Sequence, residues 1–141
     1  MAEAILAHAG EDRFSAFSAG SDPAGFVHEL AIEALRRIRI PINANADSKK
    51  WDQFADERFD VIITLCDQAA NEACPIPPES GVRAHWSMPD PVYHPGSDED
   101  RTEFAVRVAE RLKGKIEGLL EVDWTAPRPD IESRLRFLGE I

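Results

Sequence analysis

The nearly continuous apolar segment Val61-Ile62-Ile63-Thr64-Leu65 most strongly constrains what this chain can fold into. It lacks strict alternation of apolar and polar residues, a pattern typical of a strand covered on both faces. Strands of this kind occur in parallel sheets whose connections contain helices. Because predicted helices and strands alternate along the chain, the sequence predicts an α/β fold with a parallel sheet and helices on both faces.

The other predicted elements follow from apolar spacing, capping residues and prolines. Pro75, Pro77 and Pro78 predict a stiff, non-helical connection after the Val61–Leu65 strand. A short helix is expected through Trp51 and Ala55, capped by Asp47 or Ser48. The predicted strands are Phe14–Gly20, Asp60–Cys66 and Val82–Trp86, and the predicted helices are Met1–Ala9, His28–Ile38, Ser97 or Asp98 to about Val122, and Ile131–Leu138.

Size and charge narrow the function classes. The 141 residues suit one domain with a hydrophobic core. The net charge of −10 would repel a phosphate backbone, which argues against nucleic-acid binding. No apolar stretch reaches the length of a membrane span, and no secretory signal is visible, so we expect a cytoplasmic protein that does not associate with membranes.

Two cysteines follow the strand, Cys66 directly and Cys74 eight positions later. Either thiol could be a small buried side chain with no chemistry. If the intervening loop moves, the two could instead form an exchangeable disulfide. A Cys2His2 metal site with His85 and His94 is disfavoured because the cysteine spacing is wide, so no metal is predicted.

Asp90 lies between Pro89 and Pro91, whose rings stiffen the loop around it. A carboxyl group held out from a loop can serve as a general acid beside a leaving oxygen. The same pattern also fits an ordinary turn aspartate, and the tripeptide alone does not separate the two.

Several short motifs appear in one order along the chain: Ser18-Ala19-Gly20, Phe59 to Asp67, Cys74-Pro75, His85-Trp86 and Pro89-Asp90-Pro91. Together they resemble the thiol-dependent arsenate reductases built on the low-molecular-weight protein tyrosine phosphatase fold. The resemblance covers residues 1–122. Residues 123–141 are expected to form a C-terminal extension with a short amphipathic helix.

The resemblance implies a cysteine relay that reduces arsenate to arsenite without a cofactor. In the family, a first cysteine in a Cys-x5-Arg loop attacks the oxyanion. Cys66 matches the second cysteine, which attacks the cysteine–arsenic adduct, and Cys74 matches the third, which presents the disulfide to thioredoxin or a similar reductant. Asp90 matches the general acid. The substrate would be arsenate or a phosphate-like oxyanion.

The chain departs from the family pattern in one respect: it contains no Cys-x5-Arg sequence. It begins within the family's first helix, so the first strand is expected to be missing and activity to be weak or absent. A start assigned too late, a naturally shortened member and a fragment complemented by another polypeptide all remain open. The alternatives in function are a phosphotyrosine phosphatase and a non-catalytic binding or redox-responsive module.

A sheet without its first strand would have unpaired edges. The sequence therefore predicts one of two arrangements. Either Phe14–Ser18 pairs directly with Val61–Leu65, or a partner chain fills the gap, for example in a homodimer formed through the exposed sheet edge.

Overall fold

A computed structural model of the chain describes residues 1–77 and 79–141, and Pro78 lies outside the described residues. Two strands and five α-helices make up the described fold, together with short 3-10 helices at Glu11–Arg13, Trp51–Phe54 and Pro91–Tyr93. In chain order the elements are α1 (Ala2–Gly10), α2 (Glu29–Arg37), β1 (Val61–Thr64), α3 (Asp67–Asn71), β2 (Val82–His85), α4 (Asp98–Leu120) and α5 (Arg128–Glu140).

The sheet is parallel, as predicted, and consists of β1 and β2 within the described part of the chain. The register places Val61 opposite Val82 and Thr64 opposite His85. The backbone N–H of Val82 donates to Asp60 O at 2.9 Å, and that of Trp86 donates to Thr64 O at 2.8 Å. The α/β class and the parallel sheet are therefore confirmed.

Helix α4 is the central helix of the core. Ser97 and Asp100 form a capping box at its N-terminus, in which each side chain binds the other residue's backbone N–H. Its buried alanines, Ala105 and Ala109, allow α2 to approach closely at Ala34. No helix among the described residues is both long and apolar enough to cross a membrane.

The C-terminal helix α5 closes the core over β2. Leu135 and Leu138 are buried, and the Trp86 indole Nε1 donates to Leu135 O at 2.8 Å. The Lys115 side chain of α4 is 1% exposed, and its Nζ donates to Leu138 O at 2.7 Å and to Ile141 O at 2.7 Å. These contacts tie the last helix to both the sheet and α4.

The predicted strand Phe14–Gly20 is wrong. Within the described residues, its backbone forms only an isolated bridge, from Gly20 to Lys50. The large residue Phe17 instead meets Phe54 and Phe59 edge to face, with ring centroids 6.0 and 5.6 Å away. The alternation of large and small residues therefore serves aromatic packing rather than strand pairing.

The predicted short helix through Trp51 and Ala55 is present as a 3-10 helix, Trp51–Phe54. The predicted cap is wrong, because Lys50 precedes the helix and no side chain among the described residues caps it. The Ser48 hydroxyl, predicted as a possible cap, accepts a hydrogen bond from the backbone N–H of Gly25 at 3.1 Å instead. It therefore fixes the turn before α2 rather than a helix N-terminus.

An open groove lies beside the sheet, with Val82 of β2 and the neighbouring Trp86 among its lining residues. The groove has a volume of about 780 Å³, and its lining includes Phe14 and Phe17 as well as Val61, Ile63 and Leu65. Within the described chain, Phe14–Ser18 forms no backbone hydrogen bond with β1. The first of the two predicted arrangements, direct pairing of these segments, is therefore wrong.

Candidate functional site

The carboxyl ends of β1 and β2 meet at one edge of the sheet, where chemistry in parallel α/β folds usually lies. Thr64 and His85 stand opposite each other as the last residues of the two strands. Cys66 and Asp67 follow β1. The sheet therefore brings a thiol, a carboxylate and an imidazole to the same edge.

His85 is held by partners on both ring nitrogens. Its Nε2 lies 2.7 Å from Asp67 Oδ1, and its Nδ1 lies 2.7 Å from Thr64 Oγ1 and 3.0 Å from Thr64 O. In the neutral ring, Nε2–H donates to the carboxylate and Nδ1 accepts from the threonine hydroxyl. When the ring is protonated, Nδ1–H can donate to the carbonyl instead. Both ring nitrogens of His85 therefore have hydrogen-bond partners in either protonation state, and the ring keeps its orientation.

Asp67 supplies the negative charge beside His85. Hydrogen bonds from Ser87 and then from His85 hold the pKa of its carboxyl below the usual value. These contacts stabilise the ionised form. Asp67 therefore stays a carboxylate throughout the neutral range and fixes His85 beside the end of β1.

The two predicted relay thiols are both free, in different environments. Cys66 is exposed and precedes α3 as its N-terminal flanking residue, with an extended backbone. Cys74 is half-buried and follows the five-residue helix α3. The exposed thiol is open to a reaction partner, and the second thiol lies one short helical turn and a loop further along the chain.

Asp90, the predicted general acid, is exposed in the loop after β2. Its Oδ1 accepts a hydrogen bond from the backbone N–H of Val92 at 2.9 Å, which caps the 3-10 helix Pro91–Tyr93. The carboxylate therefore has a fixed direction and a visible structural role. Its predicted catalytic role stays a prediction.

The two histidines considered together with the cysteines lie in different surroundings. His85 belongs to the Asp67 cluster, whereas the His94 ring stacks on Phe104 with a centroid distance of 4.0 Å. Within residues 1–77 and 79–141, no group of three or more histidine, cysteine, aspartate or glutamate side chains is arranged to hold a metal ion.

The cluster of Thr64, Asp67, His85 and Ser87 was missed at the level of the sequence. Its members are up to 23 positions apart and meet only because β1 and β2 pair in parallel. The available signal was their shared position at strand ends, since polar residues just beyond adjacent parallel strands converge on one edge.

Comparison with known proteins supports the same fold. The profile of the family described as "Low molecular weight phosphotyrosine protein phosphatase" matches residues 1–125. The chain is 32% identical over 110 residues to an arsenate reductase of Halalkalibacterium halodurans, covering 78% of this chain and 77% of the relative.

Two further arsenate reductases are similar. That of Bacillus subtilis (strain 168) is 29% identical over 110 residues, with 78% of this chain and 77% of the relative covered. Arsenate reductase 2 of Staphylococcus epidermidis is 34% identical over 98 residues, with 70% and 72% covered. With its parallel sheet, the strand-end thiol and this match over most of its length, the chain belongs to the low molecular weight phosphotyrosine protein phosphatase family.

Proposed function

We propose that this chain is an arsenate-reductase-like protein whose Cys66 and Cys74 form the exit half of a cysteine relay. The observation that carries the proposal is the exposed Cys66 thiol at the carboxyl end of β1, next in sequence to the ordered Asp67–His85 pair. Several relatives named arsenate reductase support the choice of oxyanion.

In this proposal the Cys66 thiolate attacks the sulfur of a thiol–arsenate adduct. The sulfur–arsenic bond breaks, and its electron pair leaves with arsenic, which is thereby reduced from arsenate to arsenite. A disulfide now joins Cys66 to the first thiol. In the preceding step, in which the first thiol forms the sulfur–arsenic bond, Asp90 supplies a proton to the arsenate oxygen that leaves as water.

The second exchange transfers this disulfide within the chain. The Cys74 thiolate attacks the Cys66 sulfur, releases the first thiol and leaves a Cys66–Cys74 disulfide. Thioredoxin or a similar dithiol then returns two electrons and restores both thiols. Each exchange conserves electrons, because two thiols are oxidised for each arsenate reduced. A reducing, cytoplasmic location suits such a cycle.

The chain alone is expected to turn over arsenate weakly or not at all, because its sequence contains no Cys-x5-Arg loop to supply the first thiol. A coupled assay with arsenate, thioredoxin and thioredoxin reductase tests this expectation. Sustained arsenate-dependent turnover by the purified chain would contradict it.

The relay itself is tested separately from turnover. Mild oxidation with diamide should remove two hydrogens from the chain and link Cys66 to Cys74, as read by intact mass and peptide mapping. Thioredoxin should reverse the change. Cys66→Ser and Cys74→Ser serve as matched controls that cannot form the intramolecular link. Two thiols that remain reduced, or that react only between molecules, would exclude the relay.

The alternatives predict different results. A phosphotyrosine phosphatase would hydrolyse para-nitrophenyl phosphate and would have no need for the two thiols. A non-catalytic redox-responsive module would form the Cys66–Cys74 disulfide without reducing arsenate even when a thiol–arsenate adduct is supplied.

A further inference from the structure

The segment that follows Cys74 is fastened to β2 by the side chain of Arg83. One terminal nitrogen of the guanidinium, Nη2, donates to Ile76 O at 2.5 Å and to Pro77 O at 2.9 Å. Ile76 is also buried, with 6% of its surface exposed. Cys74 lies only two residues before Ile76, a stretch of chain that spans at most about 7 Å. The anchor therefore restricts where the Cys74 thiol can go.

The polar contacts of Arg83 within the described chain are with these two carbonyl oxygens. Its guanidinium forms no ion pair with a described carboxylate, although the chain carries a net charge of −10. Its Nε is buried and also lacks a partner in that part of the chain. Hydrogen bonds from a charged donor are short and strong. The half-buried guanidinium therefore serves to hold the loop after Cys74 rather than to balance an acidic group.

The other end of the cysteine-bearing segment is attached to the same strand. Asp67, directly after Cys66, contacts His85 through Oδ1 and Nε2 at 2.7 Å. Arg83 and His85 lie two positions apart on β2, so their side chains leave the same face of the sheet. One face of one strand thus holds the chain on both sides of the two thiols.

The stretch between the two attachments is weakly held by comparison. Helix α3 has five residues, and its Gln68 side chain donates to Glu72 at 2.9 Å in an exposed contact. A helix of this length has little stability of its own, because nucleation costs more than so few hydrogen bonds return. The separation of Cys66 from Cys74 is therefore controlled mainly by the attachments to β2.

We propose, as an extension of the cysteine relay proposed above, that Arg83 is a positioning residue for the exchange between Cys66 and Cys74. Its hydrogen bonds keep Cys74 close to the sheet edge where Cys66 lies. A short tether raises the effective concentration of one thiol at the other. Without the contacts, the loop after Cys74 would sample a larger volume, and the two sulfur atoms would meet less often.

The test equilibrates the full chain with reduced and oxidised glutathione and measures the Cys66–Cys74 disulfide by intact mass after acid quenching. Each disulfide formed consumes one oxidised glutathione and releases two reduced ones, so the equilibrium gives the effective concentration of the two thiols. Arg83→Gln has a shorter side chain that does not reach the loop, and it should lower this concentration at least about fivefold. Arg83→Lys keeps the charge and a terminal donor and should stay within about twofold of the wild type.

Arg101→Gln is the matched control. The Arg101 guanidinium also donates to a backbone oxygen, that of Gly96 at 2.9 Å, but in the loop before α4. This substitution should leave the effective concentration of the two thiols unchanged. A loss equal to that of Arg83→Gln would contradict a specific role for Arg83.

A second measurement reads the position of Cys74 in the reduced chain, without any disulfide chemistry. Iodoacetamide should modify Cys74 several times faster in Arg83→Gln than in the wild type, because the loop is released, whereas the rate at Cys66 should not change. Circular dichroism checks that the variants are folded. If Arg83→Gln is not folded, NMR of the wild type decides: the Arg83 Nη protons should exchange slowly with water both before and after oxidation, and loss of these signals on oxidation would overturn the proposal.

The outcomes separate the role of Arg83 from the relay itself. A wild-type chain that forms no Cys66–Cys74 disulfide would show that the relay is wrong, and the role of Arg83 with it. A wild-type chain that forms the disulfide, together with an Arg83→Gln variant that forms it equally well or better, would overturn only the role of Arg83. An unchanged rate of Cys74 modification in the folded variant would overturn it too.

Discussion

Trp86 and Leu135 are joined by a hydrogen bond of 2.8 Å from the indole Nε1 to the backbone carbonyl oxygen, although 49 positions separate them. Both residues are almost completely buried. This single contact connects the end of β2 to the middle of α5. It makes the stability of the sheet depend on the last helix.

Trp86→Phe should therefore destabilise the fold. The substitution removes the indole N–H and leaves a cavity beside α5, and the two losses together should cost about 2–3 kcal/mol. Urea unfolding followed by circular dichroism measures the effect. Trp51→Phe is the control, since Trp51 is only half-buried in a short 3-10 helix and should cost less. Equal losses in the two variants would contradict this role for Trp86.

Two glycines in α4 should respond in opposite ways to alanine. A Cβ at Gly114 meets nothing within 4 Å, whereas one at Gly118 collides with the buried side chain of Leu138. Gly114→Ala should raise the free energy of unfolding by about 0.5–1 kcal/mol, because alanine favours the helix. Gly118→Ala should lower it by about 1–3 kcal/mol through overpacking against α5. Thermal unfolding measures both effects. Stabilisation by both substitutions would contradict the prediction for Gly118, because it would mean that α5 moves easily to make room for the added methyl group.

Lys115 should be essential for holding the end of α5. Its buried Nζ donates to three backbone oxygens in the last residues of the chain, those of Leu138, Gly139 and Ile141. Lys115→Met should lower the free energy of unfolding by about 2 kcal/mol, since hydrogen bonds from a charged group are lost. Lys113→Met removes only an exposed ion pair of 3.8 Å to Glu117 and should change it by less than about 0.5 kcal/mol. Similar effects in the two variants would contradict the assignment.

The pH dependence of stability should report Asp67. Its carboxyl has a lowered pKa in the folded chain. As the pH falls past the ordinary value of 3.8, the unfolded chain therefore binds this proton at a higher pH than the folded chain does. The stabilisation is therefore complete above that pH and declines as the pH falls through the lowered value. The stability difference between the wild type and Asp67→Asn should shrink on acidification, as measured by urea unfolding over a pH series. Ser87→Ala should make the free energy of unfolding depend less on pH. Parallel curves of this free energy against pH for all three proteins would contradict the role assigned to Asp67.

The two cysteines should differ in reactivity because they differ in accessibility. Cys66 is exposed and Cys74 is half-buried. Limited treatment with iodoacetamide should modify Cys66 several times faster, as read by peptide mass spectrometry. Faster modification of Cys74 would mean that its loop opens readily and that Cys66 is shielded.

The elements that could be predicted from the sequence are those determined by local pattern. β1 and α4 were recognisable from an apolar run and from a capped amphipathic stripe, and both are present close to the predicted bounds. Phe14–Gly20 was misassigned because its alternation is satisfied by the Phe17, Phe54 and Phe59 rings, which come together only in three dimensions.

In the candidate site, too, only the features determined by local sequence pattern could be predicted. Cys66 could be placed at a strand end because it directly follows an apolar run. The contact between His85 and Asp67 crosses two strands and depends on their register, which no local pattern specifies. The partnership of Cys66 with Cys74 and the catalytic role of Asp90 stay predictions for the same reason, since they concern a reaction step rather than a packed contact.

The dependence of β2 on α5 has a consequence for biosynthesis. Helix α5 leaves the ribosome after the other elements described, and until it emerges Trp86 and the α4 surface that contacts Leu138 lack the cover that this helix provides. Domains begin to fold during synthesis, but this core cannot be completed before residues 128–140 are available. A nascent chain stalled before this helix would therefore expose its largest buried aromatic side chain to chaperones.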